Sequence, residues 1–174
     1  MGSQVKTMIF PGSFDPFTLG HMDIAKRARA ICDRLVVAVM TNYAKNPFFS
    51  PDERIEIVRK SLQDMPDIEV VYAEGLLVEL FQKEGACTVV RGIRSQSDYR
   101  NEAEMLAANK LLYPGFDTIL LPCQSTYAYT SSSVVKEVAS YGGDISGMIA
   151  PCVLDFVQNR IREAKTGSME GRSS

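Results

Sequence analysis

The chain has 174 residues, of which 45% are hydrophobic and 23% charged, and its formal net charge is −2. This length suits one domain around one core, and the composition is that of a globular protein rather than a disordered or membrane-spanning one. The slight acidity argues against broad electrostatic binding of nucleic acid, which needs clustered Lys and Arg. We expect one domain over residues 4–165 and a small, polar, disordered tail over residues 166–174.

The cysteines are far apart and form no Cys-x-x-Cys pair, and the chain has one histidine to complete a metal site. A structural zinc is therefore not expected. The start of the chain lacks a basic segment followed by a long apolar run, and no apolar stretch approaches the roughly 18 residues of a membrane span. We expect a cytoplasmic protein whose thiols are reduced and mostly buried. The cysteines are Cys32, Cys87, Cys123 and Cys152.

Five short apolar or β-branched runs alternate with segments of helical spacing. The runs are residues 7–10, 35–40, 68–72, 88–90 and 118–121, and the helical segments include Ile24, Ala28 and Ile31, then Ile55, Val58 and Leu62, then Leu76, Leu77, Leu80 and Phe81. Near-continuous apolarity is typical of strands covered on both faces. The alternation predicts an α/β fold, a doubly wound five-stranded parallel sheet in a single domain.

Helix ends are marked by their chemistry. Ser50-Pro51-Asp52-Glu53 offers an N-cap, a proline at the first helical position and a capping box. Lys83-Glu84-Gly85 and Tyr141-Gly142-Gly143 predict helix stops, and a last helix is expected to begin at Ala150-Pro151. In such a fold, ligands bind at the carboxyl ends of the strands.

The loop after the first strand runs from Pro11 to His21 and contains Gly12 and Gly20. Glycines let backbone N–H groups approach a ligand closely, and His21 opens the next helix, where the helix dipole favours anions. A phosphate suits this setting, although an isolated histidine is more often a plain polar residue. The chain lacks both Gly-x-Gly-x-x-Gly after the first strand and any Gly-Lys-Ser/Thr, so dehydrogenase and P-loop readings lose their main support.

Cations follow two further strands. Lys45 comes after the second strand, and Arg91 and Arg94 flank Gly92-Ile93 after the fourth, a spacing suited to gripping phosphate oxygens. The alternatives are an ordinary solvated lysine and arginines paired with Asp98 or Glu102 on the following helix. Phosphate binding and such pairing can coexist.

After the fifth strand, a hydroxyl-rich segment leads into a helix. Its residues are Thr126, Tyr127, Ala128, Tyr129, Thr130, Ser131, Ser132 and Ser133. Hydroxyls at a helix N-terminus can donate to phosphate, but serine is also the preferred N-cap.

Taken together, these segments resemble the bacterial-type phosphopantetheine adenylyltransferases, in the HxGH-motif nucleotidyltransferase superfamily. The resemblance runs from about Met8 to Arg160, and the motifs occur in the family's order. They are Pro11-Gly12-Ser13-Phe14-Asp15-Pro16, Gly20-His21, Val90-Arg91-Gly92-Ile93-Arg94 and Ser131-Ser132-Ser133 with Lys136-Glu137. The resemblance implies a Rossmann-like fold and the penultimate step of coenzyme A synthesis, the transfer of AMP from ATP to 4′-phosphopantetheine. The products are dephospho-coenzyme A and pyrophosphate, and Mg²⁺ accompanies ATP.

The resemblance also implies a role for each matching residue, with His21, Lys45 and Arg94 catalytic and no metal ligand in the chain. ATP would be bound by Ser13, Phe14, His21, Gly92, Ile93, Arg94, Glu102, Tyr127, Ala128, Tyr129, Thr130, Ser131, Ser132 and Ser133. The acceptor would be bound by Ser13, Lys45, Leu77, Arg91 and Glu137. A homohexamer and feedback binding of coenzyme A are further family expectations, with no nucleic acid or membrane partner.

Two other interpretations stay open at this point. One is a relative that transfers a nucleotide to another acceptor, such as nicotinamide mononucleotide or glycerol 3-phosphate; the set Lys45 with Arg91-Gly92-Ile93-Arg94 discriminates against it. The other is a non-catalytic nucleotide-binding module, which loss of His21 or of the basic pair would have favoured.

Overall fold

The computed structural model describes residues 5–41 and 46–170, with the backbone only for 166–170. The strands are β1 (Thr7–Gly12), β2 (Arg34–Met40), β3 (Ile68–Ala73), β4 (Thr88–Ile93) and β5 (Thr118–Pro122). The helices are α1 (Leu19–Arg29), α2 (Pro51–Ser61), α3 (Leu77–Lys83), α4 (Gln96–Leu112), α5 (Ser132–Ser140) and α6 (Leu154–Glu170). Short 3₁₀ turns occupy Ser125–Tyr127 and Pro151–Val153.

The five strands form one parallel sheet in the order β3-β2-β1-β4-β5. The predicted doubly wound sheet is confirmed. Alternate residues of the buried strands face opposite sides: Phe10 and Val37 pack with α1, α2, α5 and α6, whereas Ile9 and Val36 pack with α3 and α4. Both faces are covered, which explains why these strands read as continuous apolar runs.

The predicted helix ends are also found. Ser50 Oγ accepts from the Glu53 N–H at 3.2 Å, and Glu53 Oε2 accepts from the Ser50 N–H at 2.7 Å, which completes the capping box of α2. The α3 helix ends at Lys83 and α5 at Ser140, at the predicted stops.

All five strands are longer than predicted, but only β1 and β4 gain two or more residues, and both of these extensions carry site residues. Pro11 and Gly12 continue β1 because they pair with Ala38 and Val39 of β2. Residues 91–93 belong to the end of β4, where they pair with residues 120–122 of β5, rather than to a loop after the strand. Pairing with a neighbouring strand overrides the local turn signal of the glycines.

The observed helix boundaries differ from the predicted ones in three places. Ile31 lies beyond the end of α1 and Leu76 lies before the start of α3, so their side chains are half exposed instead of packing in the core. The last α-helix begins at Leu154, after the 3₁₀ turn that starts with Pro151. It runs to Glu170, into the segment for which we expected a tail.

The four cysteines are free, but the expectation that most are buried is wrong. Cys32 is buried and Cys123 partly so, whereas Cys87 and Cys152 are exposed. Cys87 lies just before β4, and Cys152 lies in the 3₁₀ turn Pro151–Val153. At both places the small side chain faces solvent. Within the described ranges, no helix combines the length and apolarity that crossing a membrane requires.

Candidate active site

Strands β1 and β4 are neighbours in the middle of the sheet, where the strand order reverses, and their pairing stops at Ile9 and Val89, before their carboxyl ends. In open α/β sheets this switch point is where ligands bind. A cavity of about 670 Å³ opens here, between the loop after β1, the first turn of α1, the end of β4, α4 and the start of α5. Its volume is in the range of small-molecule sites.

Most of the residues predicted for the site line this cavity. They are Ser13, Phe14, His21, Arg91, Gly92, Arg94, Glu102, Tyr127, Thr130, Ser131, Ser132 and Ser133. Ala128 and Tyr129 line a smaller pocket of about 240 Å³, which shares Arg94 with the main cavity.

Three other predicted residues within the described ranges, Ile93, Leu77 and Glu137, line neither pocket. Ile93 ends β4, and its carbonyl accepts from the Cys123 N–H at 2.8 Å. Leu77 begins α3, and Glu137 is exposed on α5. Lys45 lies outside the described residues.

His21 is the third residue of α1 and closes the helix start as the glutamate of a capping box would. Thr18 is the N-cap: its Oγ1 accepts from the His21 N–H at 3.3 Å, and its own N–H donates to His21 Nδ1 at 3.0 Å. A backbone N–H can only donate, so Nδ1 carries no proton and Nε2 does. His21 is thus a neutral imidazole whose Nε2–H is available as a donor.

The surroundings of His21 also favour its neutral form. The ring lies among Phe14 and Phe17, with centroid separations of 5.2 and 5.4 Å. Burial, followed by the positive charges of Arg94 and Arg91, lowers the pKa of His21 to about 3. The imidazole is therefore uncharged near neutral pH and can act as a hydrogen-bond donor, but not as a cation.

Phe14 forms the wall of the cavity beside His21. Its φ of +47° is in the left-handed region, and its ring is buried against Phe10 and Phe17. A Cβ at Gly12 would lie 2.7 Å from Phe14 Cε1, so glycine is needed there for the ring to pack. The first loop is thus fixed by aromatic packing as well as by its backbone.

Both arginines of the basic pair are held by carboxylates of α4. Arg91 donates to both carboxylate oxygens of Glu102, at 2.8 and 2.7 Å, and to the Pro11 carbonyl at 2.6 Å. The Arg94 backbone N–H and Nε donate to Asp98 Oδ2 at 2.9 and 3.3 Å. The pairing that we kept as an alternative is therefore present, and the same guanidinium groups still line the cavity.

The hydroxyl segment closes the cavity from the α5 side. Ser131 is the N-cap of α5, and its Oγ accepts from the Val134 N–H at 3.2 Å. Ser132 Oγ donates to the Pro16 carbonyl at 2.8 Å, which joins this helix start to the first loop. A Cβ at Gly20 would lie 3.4 Å from Tyr127 Cβ, so α1 and this segment approach closely.

Sequence reasoning missed three charged residues of the lining, which are Asp15, Arg54 and Lys136. Asp15 is buried: its carboxylate accepts from the Phe48 and Phe49 N–H groups at 3.0 and 2.8 Å and forms an ion pair with Lys136. Arg54 is 1% exposed. The signal for Arg54 was its helical phase, because it shares a face of α2 with buried residues.

No group of three or more His, Cys, Asp or Glu side chains in the described ranges is arranged to hold a metal ion. The groups that line the cavity include arginines, a neutral imidazole, hydroxyls and the start of α5. This set of donors recognises phosphate groups.

Comparison with known proteins agrees with this chemistry. A family profile described as cytidylyltransferase-like matches residues 9–138. The match spans β1 through most of α5, which carry nearly all of the cavity lining. Fold and site together define a nucleotidyltransferase of this class.

More similar relatives narrow the family. A phosphopantetheine adenylyltransferase of Heliobacterium modesticaldum is 46% identical over 84% of this chain and 87% of its own length. One from Caldanaerobacter subterraneus is 42% identical over 92% of this chain and 100% of its own. The chain belongs to the phosphopantetheine adenylyltransferase family.

Solved structures with little sequence identity share the fold. One is described as a nicotinate-nucleotide adenylyltransferase from Vibrio parahaemolyticus. Its TM-score is 0.62 at 17% identity, and the match covers 90% of this chain and 96% of that one. Another is a bifunctional NMN adenylyltransferase/ADP ribose pyrophosphatase from Francisella tularensis, with a TM-score of 0.69, 14% identity and coverage of 96% and 54%. At this identity, the likeness shows the fold alone.

Proposed function

We propose that this protein transfers AMP from ATP to 4′-phosphopantetheine, with dephospho-coenzyme A and pyrophosphate as products. The observation that carries the proposal is the neutral His21, with its Nε2–H available as a donor, in a cavity also lined by Arg91 and Arg94. Family membership supports the choice of acceptor, because the relatives named above are phosphopantetheine adenylyltransferases.

The reaction needs positioning more than activation. An acceptor phosphate oxygen forms a bond to the α-phosphorus of ATP while the bond from that phosphorus to the bridging oxygen of pyrophosphate breaks. The acceptor oxygen is already anionic, so no general base and no covalent enzyme intermediate are required. Catalysis then consists of alignment and stabilisation of the charge that develops at the α-phosphate.

In this reaction His21 donates from Nε2 to an α-phosphate oxygen. The hydrogen bond from a neutral donor strengthens as negative charge develops on that oxygen in the transition state, while the donor binds the ground state less tightly than a cation would. Arg94 faces the triphosphate, and Arg91 faces the acceptor phosphate while Glu102 holds its guanidinium plane.

The remaining roles follow the family pattern as proposals. Ser13, Phe14, Gly92, Ile93, Glu102 and residues 127–133 bind ATP, while Ser13, Lys45, Leu77 and Glu137 contribute to the acceptor site. The cavity lining supports the ATP set, apart from Ile93, Ala128 and Tyr129. For Lys45 the support is its place in the sequence, two residues before Pro47 of the cavity lining.

Mg²⁺ fits as a companion of ATP. The carboxylates near the cavity are engaged with Arg91, Arg94 and Lys136, and the described residues form no cluster of metal ligands. The donor set therefore suits an ion held by the phosphate oxygens, where it would neutralise part of the triphosphate charge.

We also propose a cytoplasmic homo-oligomer, a hexamer by family expectation, with coenzyme A as a feedback inhibitor. Of the residues of α4, only Asn109 is buried, while Tyr99, Leu111 and Leu112 expose 55%, 87% and 59% of their surface. Exposed apolar side chains along a helix that is hardly buried support self-association. The four free cysteines suit a reducing compartment.

The deciding experiment supplies ATP, Mg²⁺ and 4′-phosphopantetheine and follows dephospho-coenzyme A by chromatography and pyrophosphate by a coupled assay. Nicotinamide mononucleotide and glycerol 3-phosphate serve as competing acceptors. We expect turnover with 4′-phosphopantetheine at least ~10²-fold above the others, because unpaired polar groups in the site penalise a wrong acceptor. Equal turnover of another acceptor, or ATP binding without turnover, would contradict the proposal.

A further inference from the structure

Arg54 occupies a core position of α2, on the same face as Ile57, Val58 and Ser61. Its side chain is 1% exposed, and none of the ion pairs between described residues includes it. A guanidinium keeps its charge in proteins. The core of this protein thus contains a cation whose hydrogen-bonded neighbours are neutral.

The partners of Arg54 lie at two strand ends. Nη1 donates to the Ser13 carbonyl at 2.8 Å and to the Met40 carbonyl at 3.0 Å. Ser13 follows β1, and Met40 is the last residue of β2. One nitrogen therefore ties the first loop to the neighbouring strand, which leads towards Lys45 in the sequence.

This arrangement is poor for stability. Nε and Nη2 of Arg54 are buried and have no hydrogen-bond partner among the described residues. A buried charge and unsatisfied donors are costly, and an apolar side chain of similar volume is often at least as stabilising in such a place. The burial of Arg54 is better explained by what it does to the loop.

The bond to Ser13 determines how the next peptide group points. In a trans peptide, the carbonyl and the following N–H point in opposite directions. With the Ser13 carbonyl on Arg54, the Phe14 N–H is turned away from Arg54, and no described residue accepts from it. Phe14 has φ +47°, a conformation that costs an L-residue about 1–2 kcal/mol, so the orientation must be held from outside.

We propose that Arg54 is a positioning residue of the phosphate-binding loop: it holds the Ser13 carbonyl so that the Phe14 N–H donates to a phosphate oxygen of the nucleotide. Its charge at the edge of the cavity also favours the arrival of an anion, because the guanidinium has no carboxylate partner among the described residues. Arg54 borders the cavity, but its side chain is 1% exposed and its remaining donors, Nε and Nη2, are buried, so it acts through the loop and not as a substrate ligand. The inference rests on the proposed adenylyl transfer.

The first test uses the wild-type protein. Ser13-Phe14 is the one Ser-Phe pair in the sequence, so labelling serine with carbonyl ¹³C and phenylalanine with ¹⁵N gives one correlated NMR signal for this peptide. We expect saturating Mg-ATP, without acceptor, to move the Phe14 amide proton downfield as it gains an acceptor. An amide signal that Mg-ATP leaves in place overturns the proposal without any need for a variant.

The second test compares Arg54→Met and Arg54→Lys with Arg59→Met, a matched control on the exposed side of the same helix. In Arg54→Met we expect the Ser13 carbonyl signal to shift upfield and kcat to fall by at least ~10², as for loss of a preorganised donor. Arg54→Lys should recover part of both, and Arg59→Met should keep wild-type values. The KM for 4′-phosphopantetheine should change less than kcat.

Folding is separated from positioning by circular dichroism and by kcat per folded molecule, measured well below each variant's melting temperature. A folded Arg54→Met variant with wild-type kcat and an unmoved Ser13 signal would overturn the role. If the wild type binds Mg-ATP but forms no dephospho-coenzyme A, the proposed reaction fails instead, while the Phe14 signal still tests the loop.

Discussion

The Thr18 backbone N–H donates to Nδ1 of His21 across 3.0 Å, and this bond assigns the imidazole proton to Nε2. The same hydrogen bond therefore caps α1 and leaves the Nε2–H of His21 available as a donor in the site. Protonation of Nδ1 would break this bond, so the helix start opposes the charged form of the ring in addition to burial and the two arginines.

His21 should therefore not titrate near neutral pH. Because its pKa is about 3 in the folded chain and 6.5 in the unfolded one, acidification protonates the unfolded chain first. Folded stability from His21 is thus intact above pH 6.5 and is lost as the pH falls towards 3. The chain has one histidine, so its single Hε1 proton NMR signal should stay in place between pH 7.5 and about 5. A midpoint near 6.5 would contradict the assignment.

His21→Ala should lower kcat by at least ~10² and leave the fold intact, because it removes a donor used mainly at the transition state. Thr18 remains as N-cap, so the cost in stability should not exceed about 2 kcal/mol. Steady-state kinetics and urea unfolding check the two statements. Lys26→Ala, on the exposed side of α1, is the control and should behave as wild type. Near-normal turnover in folded His21→Ala would remove His21 from the mechanism.

Arg91→Ala should act through the acceptor. Arg91 is fixed on two sides by Glu102 and the Pro11 carbonyl, so its remaining surface faces the cavity in one orientation. We expect the KM for 4′-phosphopantetheine to rise at least ~10-fold, as for loss of a charge-assisted contact, while the KM for ATP changes less. Arg100→Ala, exposed on α4, is the matched control. Equal effects on both substrates would assign Arg91 a general electrostatic role.

Gly12→Ala should damage both stability and turnover, because its Cβ would meet Phe14 Cε1 at 2.7 Å and displace the ring that packs on His21. Overpacking of this kind costs about 1–3 kcal/mol. Gly147→Ala is a sharp control, since a Cβ there meets nothing within 4 Å. The melting temperature and kcat should both be lower for Gly12→Ala than for Gly147→Ala. Equal values for the two variants would show that the Phe14 ring does not require glycine at position 12.

The partly buried ion pair of Asp15 and Lys136 should show strong coupling. Lys136→Met leaves the Asp15 carboxylate buried beside the cavity without its cation, which we expect to cost about 3 kcal/mol. Asp15→Asn should therefore cost less in the Lys136→Met variant than in the wild type, since the uncompensated charge is removed, although the amide oxygen can accept only one of the two N–H bonds from Phe48 and Phe49. A double-mutant cycle by urea unfolding measures this. Strictly additive losses would show that the pair contributes no interaction energy.

The sheet and the main site motifs could be predicted because each depends on a short stretch of sequence. Continuous apolar runs predicted strands covered on both faces, and Ser50 with Glu53 predicted a helix start that the structure contains. The strand order follows from neither pattern. The extension of β4 through Arg91 depends on pairing with β5, which a local glycine signal cannot reveal.

Arg54 was missed for a different reason. Sequence reasoning treats a charged residue in a helix as solvated, and only the packing of α2 under two strand ends makes this one buried. Asp15 and Lys136 stand within recognised motifs, but their contact joins residues 121 positions apart. Such long-range pairs are set by tertiary structure and leave no local trace.

That separation has a consequence for how the protein acquires activity. Asp15 is bonded both to Phe48 and Phe49 and to Lys136, so the first loop gains its full set of contacts only when the last third of the chain has docked. Contacts of high sequence separation form late and slowly. In refolding from urea, catalysis should return with final side-chain packing rather than with helix content, which makes turnover a sensor of completed folding.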